Sequence, residues 1–309
     1  MTAASRPRTA WWRLHPITAA VGQCMLLACG CAWSADESSW KLAKGITGAD
    51  SGKAASIVYA DDAGSSSTST SAALLWRLSR EPEGARFANS FGASLGYSKN
   101  TLSKKRSELV QLGGNARSII AVSDDSQSNL VANLDLLYED DRENRARGNV
   151  AVLDVTLISA RLHLSPELEE GKREKGFYTW LYPSVGFYRR EVSSSSSPAV
   201  TPEGSRAGSY VTLRLTSVFL MLGEKSTLFD RLSADISGTW IRESSVSGGY
   251  VPSSYRFAEA SVSYLLYGSA RGKGWKPSIS VTRSKGTDRV GNEPYVDKTE
   301  IGFKVSYGI

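Results

Sequence analysis

The motif closest to a catalytic one is the pentapeptide Gly92-Ala93-Ser94-Leu95-Gly96, which fits the G-x-S-x-G pattern of a nucleophilic serine. That pattern works where a strand, a strained turn and a helix expose the serine hydroxyl. Here small and apolar residues alternate through the motif, as in a strand, and no helical periodicity follows. After residue 35 the only histidine that could act as a base is His163. A hydrolase that uses Ser94 or His163 is kept as a third functional hypothesis.

Two other kinds of motif superficially match ligand sites. The run Gly268–Lys273 resembles a phosphate-binding loop, but its spacing is one residue short and no serine or threonine follows the lysine. The acidic groups at 61–62, 124–125 and 139–141 lack the alternating ligands of a calcium loop. With one histidine and no cysteine after residue 35, a zinc site is not expected. We therefore predict no metal and no cofactor.

Residues 1–35 have the composition of an export signal. Three arginines come first, an apolar stretch follows between 17 and 32, and small residues precede a cleavage site near Ala35. The apolar stretch is too short to span a bilayer and is interrupted by a glycine and a glutamine. We predict a cleaved signal peptide. A lipid anchor at Cys29 is the alternative, because Leu26 to Cys29 loosely matches a lipobox.

Removal of this segment leaves a nearly neutral chain without cysteine. All three cysteines lie within the segment, so no disulfide is expected in the exported chain. The formal charge of +6 includes three arginines of the segment, and the remaining 34 basic and 31 acidic residues nearly balance. This balance gives no support to nucleic-acid binding. No later apolar run is long enough for a membrane helix, so a membrane-embedded chain of this composition must be a barrel.

Period-two alternation dominates the chain after a polar leader at 36–53. In the last segment, one face is apolar and the other is small or polar; the apolar face consists of Ile301, Phe303, Val305, Tyr307 and Ile309. Twelve such segments lie between residues 54 and 309, an even number as single-chain barrels have. In the segment at 149–164 the parity changes after Leu157, where we expect a β-bulge.

These segments predict an all-β fold: a transmembrane, antiparallel, up-and-down β-barrel of about twelve strands over residues 54–309. A soluble sandwich also alternates, but with its apolar face towards a shared core. Several segments here exceed the five or six residues usual in globular sheets, which favours tilted membrane strands.

In a membrane barrel the polar face of each strand lines the interior. An arginine or lysine turned to lipid at mid-depth costs about 2–4 kcal/mol, so the parity of charged residues indicates the inner face. We predict that the lumen is lined by Asp154, Arg161, Arg214, Asp235, Glu259, Lys276 and Lys304. Because both signs occur, these side chains either pair and plug the lumen or flank a narrow aqueous path.

Aromatic residues at strand ends are expected at the membrane interface, where an amphipathic ring is favoured. We place Trp76, Trp275 and Tyr307 at the end that carries the C-terminal strand, and Trp240 near the opposite end. Longer polar connections, at 98–115, 140–148 and 193–209, are expected at that opposite end and outside the cell.

The C-terminal segment resembles the terminal strand signal of Gram-negative outer-membrane β-barrels of the porin-like kind. Phe303 and Tyr307 match its aromatic positions, whereas Ile309 stands where such proteins usually end in phenylalanine. The general pattern of 54–309 is similar to that class, and no specific family is matched. The resemblance implies an outer-membrane location reached through the signal peptide, contact with outer-membrane lipid and lipopolysaccharide, and recognition by the barrel assembly machinery.

Three functions are consistent with such a barrel. The first is a narrow channel for small polar or ionic solutes, in which the charged lumen sets weak selectivity. The second is a plugged barrel that serves in envelope structure, adhesion or assembly through its surface loops. The third is an outer-membrane hydrolase.

Overall fold

The computed structural model describes residues 37–43, 46, 55–62, 65–80, 87–101, 106–122, 128–162, 176–197, 201–220, 231–266, 274–288, 290 and 293–308. The chain divides into two units, Met1–Ala35 and Asp36–Ile309. The predicted signal peptide, Cys29, His163 and Ile309 lie outside the described residues. No helix in the described part is long and apolar enough to cross a membrane.

The second unit is a closed, antiparallel barrel of twelve strands with one additional short strand, as the alternation predicts. The strands are β1 (Glu37–Ala43), β2 (Ala55–Asp62), β3 (Ser65–Arg80), β4 (Phe87–Asn100), β5 (Ser107–Ala121), β6 (Ser128–Asp141), β7 (Ala146–Ser159), β8 (Gly176–Ser194), β9 (Gly204–Leu220), β10 (Leu232–Val246), β11 (Ser254–Leu265), β12 (Gly274–Asp288) and β13 (Glu293–Gly308). From β2 to β13 each strand pairs with its sequence neighbours, and β13 pairs with β2 to close the barrel. We call the end where β1 begins and β13 ends the lower end.

One position in the barrel wall is shared by two strands. β1 pairs with the lower half of β3, from Glu37 with Ser79 to Ala43 with Ala73. β2 pairs with the upper half, beginning with Ser56 opposite Ser71. The two strands therefore continue in the same direction along β3. We call residues 44–54, which separate the two strands in the sequence, the insertion.

The outer face of the barrel is apolar on all twelve strands from β2 to β13. Large apolar side chains there are 37–62% exposed. Such exposure would be unfavourable if the outer face were in water. The exposed side chains include Ile57, Leu74, Leu95, Leu112, Leu134, Leu153, Phe187, Leu213, Ile236, Val262, Ile279 and Ile301. Their alternation with buried neighbours confirms the predicted outward faces of β4, β10, β11, β12 and the described part of β13.

Three expectations about strand boundaries were wrong. The leader at 36–53 contains β1, which the polar composition concealed. β7 ends at Ser159 in a 3₁₀ turn at Ala160–Leu162, and its register with β6 is continuous through Leu157, so no bulge occurs there. The register of β7 with β8 shifts instead at Arg147 and Gly148.

The expected contrast in loop length was also wrong. Strands extend further towards the upper end than the sequence suggested, so β4 and β5 are separated only by 101–106. β7 and β8 are joined at the lower end by the longer stretch 160–175. Polar residues that the sequence analysis assigned to loops belong to strands instead. Above the apolar band the strands no longer face lipid, so their outward side chains can be polar.

Candidate functional site

The candidate site is the interior of the barrel, and six of the seven predicted lumen residues lie on inward-facing positions of its strands: Asp154, Arg214, Asp235, Glu259, Lys276 and Lys304. Arg161 does not. It lies in the exposed 3₁₀ turn after β7, because the strand ends two residues earlier. Whether the other six line a path for solutes stays a prediction.

Opposite charges inside the barrel pair with one another. Arg214 Nη2 lies 2.9 Å from Asp235 Oδ1, and the hydroxyl of Thr216 donates to the same oxygen at 2.7 Å. Arg190 Nη2 lies 3.2 Å from Glu139 Oε1, and these two side chains are only 5% and 9% exposed. Buried ions require such partners, because the desolvation of an isolated charge is costly. The sequence predicted Arg214 and Asp235 separately but gave no register to join them, and it missed Glu139 and Arg190.

Hydroxyl groups of inward-facing tyrosines complete this network. Tyr210 donates to Asp154 Oδ2 at 3.2 Å, and Tyr188 donates to Glu243 Oε1 at 3.0 Å. Both rings are buried, with 5% and 3% exposure. Ion pairs and tyrosine hydroxyls thus hold several of the acidic side chains inside the barrel.

A cluster of buried apolar residues also lies inside the barrel, where the alternation predicted a polar face. It joins residues from opposite parts of the wall: Ala43, Ile46, Ala73, Leu75, Leu137, Val150, Val152, Tyr188, Tyr210, Ile241 and Val290. Leu75 and Val152 are 2% and 0% exposed. Because the cluster includes residues of strands as distant in the ring as β3 and β8, apolar side chains fill the interior at this level.

Two members of the cluster do not belong to the wall strands: Val290 lies between β12 and β13, and Ile46 belongs to the insertion. The Ile46 side chain is 2% exposed. A Cβ atom added at Gly96, on the inner face of β4, would lie 3.0 Å from Ile46 Cδ1. Ile46 therefore lies in the interior, and Gly96 provides the space for it against the wall.

A basic group lies on the inner wall below Ile46. Arg77 extends from β3 across Gly92, where an added Cβ would lie 3.1 Å from Arg77 Cγ, and its Nε donates to Asn115 Oδ1 at 3.1 Å. Lys41 and Arg117 lie within electrostatic range of Arg77. Arg77 could have been found in the sequence, because its parity is opposite to that of Trp76. Lys41 was concealed in the supposed leader.

The predicted interface aromatics are described in part. Trp240 is 46% exposed on the outer face, and Trp76 is half-buried at an outward position in the lower part of β3. The side chains of Trp275 and Tyr307 lie outside the described residues, as Ile309 does entirely, while Phe303 is 43% exposed on the outer face of β13.

Towards the upper end, exposed aromatics on the outer face are followed two residues later by charged residues. These pairs are Tyr97 and Lys99, Tyr138 and Asp140, Phe187 and Arg189, and Trp240 and Arg242. Residues two apart on a strand share a face, so a ring of aromatics is followed by a ring of charge. The sequence identified only Trp240 of this set.

Ser94 does not occupy a nucleophile elbow. The pentapeptide lies inside β4, which continues from Phe87 to Asn100 without a helix. The Ser94 side chain faces the interior and is 3% exposed. Its hydroxyl therefore lacks the exposed turn on which that hydrolase motif depends.

No family model and no curated protein sequence matches the chain. Its fold is similar to the translocator domain of the autotransporter NalP from Neisseria meningitidis, at 9% identity and a TM-score of 0.39, with 97% of this chain and 99% of that one covered. It is also similar to the β domain of a Bordetella autotransporter, at 13% identity and 0.45, covering 88% and 99%. An outer membrane channel from Pseudomonas putida F1 is similar at 10% identity and 0.45, covering 88% and 94%. Likeness at this level does not assign a function.

Proposed function

We propose that the chain is an outer-membrane barrel that acts as a gated channel for small polar or ionic solutes. Its membrane location is supported by the apolar outer face, which surrounds every strand of the closed ring. An exposed apolar surface of this extent exceeds what soluble monomers carry. The charged ring above Tyr97 and Trp240 marks the boundary with the lipid headgroups, where its basic members contact anionic lipid such as lipopolysaccharide.

The observation that carries the gating proposal is the origin of the closure. The interior is closed by an apolar cluster, and Ile46 in that cluster belongs to the insertion 44–54. The wall is complete without this insertion: Ala43 pairs with Ala73, and Ser56 pairs with Ser71. Ile46 is not part of the wall and is buried in the lumen, so it can leave the lumen without breaking the barrel. This departure would remove Ile46 from the cluster and leave the apolar members that belong to the wall strands.

A deletion of residues 44–54 tests the proposal with little disturbance of the wall. When Ala43 is joined to Ala55, the new strand places Ala55 opposite residue 72 of β3, and the inward and outward faces keep their order. In planar bilayers we expect the wild-type protein to give rare, brief conductance steps. The deletion variant should give larger and longer-lived steps, because the apolar closure loses Ile46.

A single substitution provides a matched control for this deletion. Ile46→Asp should also increase the open fraction, since a carboxylate is costly in the apolar cluster. Val251→Asp places the same charge in an upper loop at a side chain that is 74% exposed, and should leave conductance unchanged. Silence of the wild-type, deletion and Ile46→Asp proteins would contradict the channel.

The second candidate, a plugged structural barrel, is favoured by the buried pair of Arg190 and Glu139. This pair and the tyrosine hydrogen bonds hold the interior together without any contribution from the insertion. A structural barrel predicts that all three proteins are silent in bilayers while retaining the heat-sensitive gel mobility of a folded barrel.

A further inference from the structure

Three buried polar atoms on neighbouring strands have no hydrogen-bond partner among the residues that the structure describes. They are Ser94 Oγ, Asn115 Nδ2 and Arg117 Nε. Ser94 is 3% exposed and Asn115 is 6% exposed. Protein interiors pair nearly all such groups, so a cluster of three needs an explanation.

The three atoms belong to one patch of the inner wall. Asn115 and Arg117 are consecutive inward residues of β5, and their register partners on β4 are Gly92 and Ser90. Ser94 is the next inward residue above Gly92 on the same strand. The patch therefore spans two adjacent strands and no more than three inward positions on each.

The amide of Asn115 is oriented by its neighbour. Arg77 Nε can only donate, and it lies 3.1 Å from the Asn115 atom assigned as Oδ1. A flipped amide would bring two donors together. Asn115 Nδ2 is therefore the free group, and both it and Arg117 Nε are donors without acceptors.

Positive charge surrounds the same patch. Lys41 lies within electrostatic range of Arg77, Arg117 and Arg214. Of these, Arg214 is paired with Asp235. One carboxylate adjoins the patch: Asp135, the register partner of Asn115 on β6, is 4% exposed and lies within electrostatic range of Arg77. Lys41 is exposed, and Arg77 and Arg117 are half-buried, so an anion at the patch would lower the repulsion between these like charges.

We propose that this patch binds an oxyanion, namely the carboxylate or phosphate group of a small solute. Its oxygens accept hydrogen bonds from Asn115 Nδ2, Arg117 Nε and the Ser94 hydroxyl, while Lys41 and Arg77 supply charge. Gly96, which contacts Ile46, lies two inward positions above Gly92, so the patch is on the lower side of the closure. Binding does not depend on the gate, and its failure would leave the proposed channel untouched.

The test is isothermal titration of the full protein in neutral detergent, in a chloride buffer free of oxyanions. Inorganic phosphate and succinate are titrated separately, so that the two arms distinguish a phosphate from a carboxylate ligand. We expect saturable binding of at least one anion, weakened by added sodium chloride as charge pairing is screened.

Asn115→Asp is the sharpest variant. It keeps the size of the side chain and the contact with Arg77, but replaces the free donor by a negative acceptor. We expect binding to weaken at least about tenfold, the scale of a lost charge-assisted hydrogen bond. Asn89→Asp is the control, because Asn89 is exposed on the outer face and its Oδ1 accepts from Ser118 Oγ at 2.8 Å.

The absence of saturable binding by both anions would overturn the proposal, as would equal binding by wild type and Asn115→Asp. Equal weakening by Asn89→Asp would do the same. Folding of each variant is checked by its heat-sensitive gel mobility. If Asn115→Asp does not fold, Ser94→Ala and Lys41→Gln take its place, and unchanged affinity in both would refute the site.

Discussion

At the scale of single residues, adjacent positions of one strand experience opposite surroundings. Glu139 and Asp140 are neighbours on β6, and each forms an ion pair with an arginine. Glu139 faces the closed interior, where Arg190 is 5% exposed, while Asp140 faces outward towards Arg147, which is 62% exposed. Exposed pairs contribute little because water screens them, whereas a buried partner left alone is severely destabilising.

This contrast predicts different costs for two isosteric substitutions. Glu139→Gln leaves the Arg190 charge buried without compensation and should lower the free energy of unfolding by about 3–5 kcal/mol. Asp140→Asn should change it by less than about 1 kcal/mol. Urea unfolding from lipid vesicles measures both. Equal effects would show that the interior around Arg190 is hydrated.

The charged residues of the interior also show what the sequence could and could not establish. The alternation of apolar and polar residues predicted that Arg214 and Asp235 face inward, because this alternation can be read within each strand alone. Their pairing depends on the register between β9 and β10, which is set by contacts far apart in the chain. The inward apolar residues Val150 and Val152 were not foreseen, since they continue an apolar run whose outward members look the same.

At the scale of elements, the twelve strands were predictable because lipid imposes a repeating pattern on every one of them. β1 was not, because Glu37–Ala43 is short and contains Glu37 and Lys41. Nothing in its own sequence shows that it completes the wall position of β2. That assignment requires the register of both strands against β3.

Inward-facing glycines in the strands allow large side chains to lie flat against the barrel wall. At Gly186 on β8, an added Cβ would lie 2.3 Å from Tyr210 Cζ and 2.6 Å from the Leu153 carbonyl oxygen. The tyrosine ring could move, but the backbone of β7 could not do so cheaply. The ring that donates to Asp154 therefore depends on a glycine of the adjacent strand.

Gly186→Ala should consequently destabilise the barrel by about 1–3 kcal/mol, the range for overpacking. Gly238→Ala on the outer face is the matched control, because its added Cβ meets Trp240 at 3.3 Å and no backbone atom. The midpoint of thermal unfolding in detergent, read from gel mobility, compares the two. A greater loss for Gly238→Ala would contradict this account of the inner wall.

At the scale of the whole molecule, two apolar surfaces serve different purposes. The outer one surrounds all twelve strands and faces lipid, while the inner one is local and closes the lumen at Ile46. The first is the surface expected against lipid, and in the proposed channel the second controls the passage of solutes. The gating and anion-binding proposals both presuppose the first.

The most direct test of that outward orientation uses spin labels at five consecutive positions of β12, residues 278–282, in a chain whose native cysteines are replaced by serine. In lipid bilayers, labels at Ile279 and Val281 should be accessible to oxygen and shielded from a water-soluble nickel complex, because these side chains are 46% and 48% exposed on the outer face. Labels at Ser278, Ser280 and Thr282 should be poorly accessible to oxygen. A flat profile, or one with the opposite phase, would contradict the membrane barrel.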